Sequence, residues 1–386
     1  MFSINDKNYQ LKDNLFSLNS SFISNINQPF FSYENQTNNF NIYNNTINQE
    51  DFEAINSILN ENNHQKNQNY CHYLQLKIIS NPQYSNNILY HFLIPYMLQL
   101  INNVYGNLIY QNFIEVLEQN NLYHLVNFIK NNFIEISHSP NGTRVIQKLI
   151  EKIYQNKSYK SFIFLYLIEM IKGKVCELSI DENANHIIQK FIIYIPSPLN
   201  NFIYYEICQN FLLISITKYG CCVIQKCLNN GINEQREKLV YLILQNTFFL
   251  ITNQFGNYIY QCLLFLNDDN INMKMINIIF PQIISLSKEK YSSNVIEKLF
   301  DIHNEKIVNY LINSICSNEK KIIDLITDKY GNYIIQKILS VCNNREIFIG
   351  ILRIISKNIN EIKSTSFGKK LIGKLISKYP YLNEMI

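Results

Sequence analysis

Tryptophan is absent from this chain, and glycine and proline are sparse, at ten and eight residues in 386. Alanine is scarce too. Asn, Ile, Lys and Tyr are abundant instead; all four have AT-rich codons, so the bias reflects genome composition before chemistry. Few Gly and Pro residues leave long stretches without a helix-breaking signal. The nine cysteines form no CxxC pair, and Cys221, Cys222 and Cys227 crowd one apolar segment. Neither a disulfide framework nor a zinc site has that layout, which points to a reducing compartment. HExxH, a Gly-rich phosphate loop, a nucleophile elbow and paired carboxylates in an apolar cleft are all missing, and the histidines are scattered. No enzyme activity, metal or cofactor is expected. The apolar stretches 161–171 and 202–216 carry Glu169 and Glu206 and stop short of a spanning length. With no signal-peptide pattern at the N-terminus, the expectation is a soluble, cytoplasmic protein.

What is present is apolar: 47% hydrophobic and 13% aromatic residues can build a sizeable core. A net charge of +4 permits a nucleic-acid partner without arguing for one. Residues 1–50 read as an Asn-rich, low-complexity tail expected to be disordered. Order is expected from residue 51, where Phe52, Ile55, Ile58 and Leu59 recur at helical spacing.

From about residue 65 one phrase recurs. The copies are YCHYLQLKI (70–78), GNLIYQNFI (106–114), GTRVIQKLI (142–150), ANHIIQKFI (184–192), GCCVIQKCL (220–228), GNYIYQCLL (256–264), SSNVIEKLF (292–300) and GNYIIQKIL (331–339). Their aligned amides, with one carboxylate, are Gln75, Gln111, Gln147, Gln189, Gln225, Gln261, Glu297 and Gln336. The separations are 36, 36, 42, 36, 36, 36 and 39 residues, and FGKKLIGKL (367–375) is a degenerate ninth copy. A fixed period with helical spacing predicts an all-α solenoid of two or three helices per unit. Each phrase should open a helix just after its Gly or small residue. The two longer spacings place extra loop length at about 154–160 and 313–321.

Within each phrase, three positions at i, i+1 and i+4 share one helix edge. They are Cys71, His72 and Gln75; Asn107, Leu108 and Gln111; Thr143, Arg144 and Gln147; Asn185, His186 and Gln189; Cys221, Cys222 and Gln225; Asn257, Tyr258 and Gln261; Ser293, Asn294 and Glu297; Asn332, Tyr333 and Gln336. Such residues serve either as helix caps and an inter-repeat ladder or as a tape of small binding sites. Residue choice that varies at i within a fixed frame favours the tape. Lysines follow the i+4 residue in five copies (Lys148, Lys190, Lys226, Lys298, Lys337) and fit either a phosphate border or a solvated ridge, so they stay outside the candidate site.

These phrases resemble the repeats of the Pumilio (PUF) family of RNA-binding proteins over roughly residues 65–386. The resemblance implies a crescent-shaped, right-handed α-solenoid of eight Pumilio-type repeats with terminal capping half-repeats, and an RNA-binding domain over 51–386. In that family one unit reads one base: i and i+4 meet the base edge, i+1 stacks between bases, and the RNA runs antiparallel to the chain. Carried over, Asn332/Gln336, Asn257/Gln261, Asn185/Gln189 and Asn107/Gln111 imply U. Cys221/Gln225, Cys71/Gln75 and Thr143/Gln147 imply A, and Ser293/Glu297 implies G. The implied target is 5′-UGUAUAUA-3′, an element of messenger-RNA 3′ untranslated regions. Leu108 and Cys222 lack the planar group usual for stacking, and Thr143 is unusual at its position. The resemblance further implies a monomer that represses messages by recruiting repressor or deadenylase proteins to its convex face. Rival readings are a protein-binding solenoid of the armadillo or HEAT kind, whose period is longer, and a nucleolar Pumilio-like ribosome-assembly factor.

Overall fold

The computed structural model describes residues 47–60, 63–155 and 160–380; the expected tail over 1–50 falls almost wholly outside them. From the third unit on, each is built from three α-helices, as in Asn233–Gln245, Thr247–Ile251 and Gly256–Leu264, whereas the first has two among the described residues, Gln49–Asn60 and His64–Ser80. The last of the three carries the phrase. Phrase helices pack in strict chain order from His64–Ser80 through Gly106–Val116, Gly142–Gln155, Asn185–Tyr194, Gly220–Asn230, Gly256–Leu264, Ser292–Leu299 and Gly331–Val341 to Ser366–Lys378. The longer helices form a second row, for example Asn201–Gln209 against Asn233–Gln245 and that against Asp269–Ile279. Among the described residues no strand is present.

The packing follows from the phrase itself. Positions i+2 and i+3 are fully buried in unit after unit: Ile109 and Tyr110, Val145 and Ile146, Ile187 and Ile188, Val223 and Ile224, Ile259 and Tyr260, Val295 and Ile296, Ile334 and Ile335. Each such side chain contributes about 1.5–3 kcal/mol by leaving water, and all belong to one continuous core. From the second unit on, the residue that opens the phrase is small because the chain doubles back on itself there. A Cβ at Gly256 would stand 2.8 Å from the Leu250 carbonyl oxygen, and one at Gly331 would stand 2.9 Å from that of Leu325. Ser292 meets the same crowding by donating its hydroxyl to the Leu286 carbonyl at 2.6 Å.

Two expectations are corrected. The first phrase does not open its helix: with Tyr70 in place of glycine, the helix begins at His64, capped by the Asn63 side chain on the Lys66 N–H. The insertion before the eighth phrase lengthens a helix as well as a loop: Glu319–Thr327 has nine residues against five in Thr247–Ile251, and residues 316–318 connect where Asn246 alone does in the sixth unit. Most of the other insertion, residues 156–159, lies outside the described residues.

Candidate nucleic-acid interface

Six of the eight phrase helices start on a side-chain cap four residues before position i; the first is capped by Asn63 instead, and the seventh has Glu289 there. Asn253 Oδ1 accepts from the Phe255 and Gly256 N–H groups at 2.8 and 3.0 Å, and Asp328 Oδ1 accepts from Tyr330 and Gly331, both at 2.8 Å. Asn103 and Asp181 do the same in their units, while Ser139 and Thr217 cap one N–H each. These caps satisfy the orphan donors of the first turn. Burial alone would raise the Asp181 carboxyl, but the Ala184 and Asn183 N–H groups and His138 hold it below its ordinary range. Reading the phrase alone misses this position; the recurrent Asn, Asp, Ser or Thr is its sequence signal.

On that platform the candidate residues recur with one geometry. Position i is buried, i+1 is exposed in all units except that Leu108 is half-buried, and i+4 is half-buried throughout. In four units Asn at i donates both Nδ2 protons backwards to main-chain carbonyls. Asn257 reaches Asn253 and Gln254 at 2.8 and 3.0 Å, and Asn332 reaches Asp328 and Lys329, both at 2.9 Å. Asn107 and Asn185 repeat the pattern. The Oδ1 of each then accepts from the reader's Nε2: Gln111 and Gln261 at 2.9 Å, Gln189 and Gln336 at 2.8 Å. The Asn therefore clamps the helix start and aims the Gln. The Gln keeps one N–H and its carbonyl oxygen for a ligand, a donor beside an acceptor.

The other four units differ in ways that change this edge. The Cys71 thiol lies 3.8 Å from Gln75 Oε1, a weak contact, and the Cys221 thiol turns to the Lys218 carbonyl at 3.3 Å; burial pushes the Cys71 thiol up to about 11. Thr143 donates across to the Asn183 carbonyl of the next unit at 3.2 Å, and Gln147 reaches its hydroxyl at 3.4 Å. Ser293 is 6% exposed with its hydroxyl near the Lys290 carbonyl. Glu297 beside it has no hydrogen-bond or ion-pair partner among the described residues. One unit alone thus presents two unoccupied acceptor oxygens.

The exposed i+1 row comprises His72, Arg144, His186, Cys222, Tyr258, Asn294 and Tyr333, with Leu108 partly covered; Tyr258 and Tyr333 are each 52% exposed. Lys218, Lys290 and Lys329 are also exposed, and each ammonium lies over the ring of the tyrosine that follows it, at 4.9, 4.9 and 5.1 Å.

The lysines one residue after the reader belong to a ladder that joins successive phrase helices. Position i+5 of one unit meets position i+8 of the unit before: Lys148 with Glu115, Lys190 with Glu151, Lys337 with Asp301, and Cys262 with Asn229. Lys298 lies 6.0 Å over Phe265 and also pairs with Asp301. Burial opposes ionisation of Glu115 and Asp301, yet their lysines hold both carboxyls below the usual range. For Lys226 the corresponding position of the preceding unit is Ile193, which is no carboxylate. At the far end Ser340 stands where the acid would be, and Lys374 of the degenerate copy donates to Gln336 Oε1 at 3.0 Å. A cavity of about 780 Å³ opens there, lined by Tyr330, Tyr333, Gln336, Phe367, Lys370 and Lys374 among others. All nine cysteines are free, and no cluster of metal-capable side chains occurs among the described residues. No helix among them is long and apolar enough to cross a membrane.

An α-solenoid that repeats one polar helix edge per unit is a modular recognition protein. The family model for the Pumilio-family RNA binding repeat matches residues 132–155, 174–208, 210–244, 246–280, 282–316 and 321–355, which hold the third to eighth phrases. The chain belongs to the Pumilio family. It is 28% identical over 321 residues to a Pumilio domain-containing protein of Schizosaccharomyces pombe, covering 83% of this chain and 46% of that protein. The Puf4 RNA binding domain bound to an HO endonuclease RNA 3′ UTR recognition sequence superposes with a TM-score of 0.72 at 28% identity, over 79% of this chain and 95% of that one. The RNA-binding domain of yeast Puf5p bound to SMX2 RNA gives 0.64 at 27%, over 88% and 99%. The chain spans about half the length of the first curated relatives it matches.

Proposed function

We infer that the chain binds single-stranded RNA sequence-specifically, one base per unit, at elements like 5′-UGUAUAUA-3′ in 3′ untranslated regions. The observation that carries this reading is the contrast along the tape. Amide readers offer a donor beside an acceptor, which suits uracil or adenine, and the single carboxylate reader offers two acceptors. Guanine alone presents adjacent N1–H and N2–H donors. Tyr258 and Tyr333 are exposed where bases would stack, worth about 1–3 kcal/mol per base. The Pumilio relatives and the RNA-bound neighbours support the same reading.

On this reading residues 51–386 are the RNA-binding domain and the protein acts in the cytoplasm, lowering translation or stability of its messages. Exposed Tyr205, Leu212, Leu213, Tyr241, Phe248 and Phe249 lie outside the phrase helices and favour docking of repressor or deadenylase-complex proteins there. The test is a binding titration at fixed salt with UGUAUAUA and with the same RNA carrying a changed second base. A preference of at least tenfold for G, about 1.4 kcal/mol, is expected; equal affinities refute the reading.

A further inference from the structure

The last rung of the lysine ladder sets Lys374 apart. In three earlier rungs Lys148, Lys190 and Lys337 at i+5 find Glu115, Glu151 and Asp301 on the preceding unit, while Lys226 and Lys298 have Ile193 and Phe265 at the corresponding position. Opposite Lys374 the chain has Ser340, whose hydroxyl is turned to its own helix at the Lys337 carbonyl, 2.7 Å away. Lacking an acid, the Lys374 ammonium reaches the reader of the eighth unit, 3.0 Å from Gln336 Oε1, and sits 5.7 Å from the Tyr333 ring centre. Among the described residues no other reader has a cation on its carbonyl oxygen.

We propose that Lys374 is a specificity-determining residue that makes the eighth unit a three-point uracil reader. This rests on the RNA reading above. Both Nδ2 protons of Asn332 are held by carbonyls and one Gln336 N–H is held by Asn332. Gln336 alone therefore offers a donor and an acceptor. The ammonium on Oε1 adds a second donor on the far side of that oxygen, with protons to spare and open space in front of it. The combined edge runs donor, acceptor, donor. Uracil presents the complement: O4, N3–H and O2 are acceptor, donor, acceptor. Cytosine presents donor, acceptor, acceptor, so it sets acceptor against acceptor in the middle and donor against donor at one end. The units with Gln111, Gln189 and Gln261 have no such third group and discriminate on two points.

The experiment compares full-length wild type, Lys374→Met and Ser340→Glu on UGUAUAUA and on CGUAUAUA, at several salt concentrations. Methionine keeps the stem over Tyr333 and removes the donor. Glutamate at 340 supplies the missing acid and draws the ammonium off Gln336. Lys374→Met should lower the U-over-C ratio at the first base about tenfold, the value of one lost base contact, with discrimination at the second base unchanged. Ser340→Glu should lower the same ratio about threefold or more. An unchanged ratio in Lys374→Met overturns the proposal. So does an equal weakening on both RNAs with a salt slope smaller by about one, the mark of a phosphate contact only. Should Lys374→Met fail to fold, an unchanged ratio in Ser340→Glu overturns it alone. A wild-type protein that ignores the second base brings down the RNA reading itself. One that reads G there but keeps its first-base ratio in both variants brings down only the role of Lys374.

Discussion

Exchanging one unit's edge for another's tests the tape most directly. Replacing Ser293→Asn and Glu297→Gln together gives the seventh unit the edge of the sixth. The structure says why both changes are needed. In the sixth unit Asn257 anchors on the carbonyls of Asn253 and Gln254 and holds Gln261 by its Oδ1. The equivalent carbonyls in the seventh unit, those of Glu289 and Lys290, are placed likewise, since the Ser293 N–H already bonds Glu289 at 3.1 Å. Glu297 has no internal partner to lose among the described residues, so its two oxygens are wholly available to guanine. Swapping the carboxylate for an amide sets a donor against a guanine donor, costing about 1–3 kcal/mol for G, and supplies a matched pair for U at a similar gain. The G-over-U ratio at the second base should therefore move by on the order of a hundredfold. Fluorescence anisotropy with UGUAUAUA and UUUAUAUA at constant salt measures it. A double variant that folds and still prefers G shows that the seventh unit does not face the second base.

Two further outcomes test the platform beneath the tape. Asn257→Ala removes the donors held by two carbonyls and the acceptor that aims Gln261, so urea unfolding should show a loss of about 1–3 kcal/mol for this buried group; an unchanged midpoint refutes the clamp. Asp301 has a folded-state pKa below its unfolded one, because Lys337 and Lys298 outweigh the burial that would raise it. Its contribution is present above the unfolded value near about 4 and is lost as pH falls through the folded one. Asp301→Asn should thus cost about 0.2–1 kcal/mol at neutral pH, small because the pair is partly exposed, and progressively less toward pH 3. A difference that does not shrink on acidification refutes the ion-pair account.

The stacking order was legible because one buried pair, i+2 and i+3, recurs at a fixed period and can only be covered by the neighbouring unit. The small residue before i was legible too, although its reason, a backbone carbonyl within van der Waals range, required coordinates. Two features fell outside that window. The cap at i−4 and the acid at i+8 lie beyond the nine-residue phrase. The cap's recurrent Asn, Asp, Ser or Thr shows only when the window is widened, and the meaning of the acid depends on which side chain of the neighbouring unit stands opposite. For the same reason Lys148, Lys190 and Lys337 fit a phosphate border or a solvated ridge equally in sequence and are rungs in the structure.

The same geometry changes what Asn at position i does. From sequence, i and i+4 are two halves of one reader, and a cap or ladder is the competing use. The structure combines the two: Asn107, Asn185, Asn257 and Asn332 spend both amide protons on the helix start and one acceptor on the reader. On the proposed RNA reading, variation at i acts on recognition through the freedom of the i+4 side chain. Asn fixes the Gln amide in one orientation, Cys71 barely holds it, and Ser293 leaves a carboxylate with no amide orientation to fix. On that reading a repeat is retuned by a buried residue that a base need not touch.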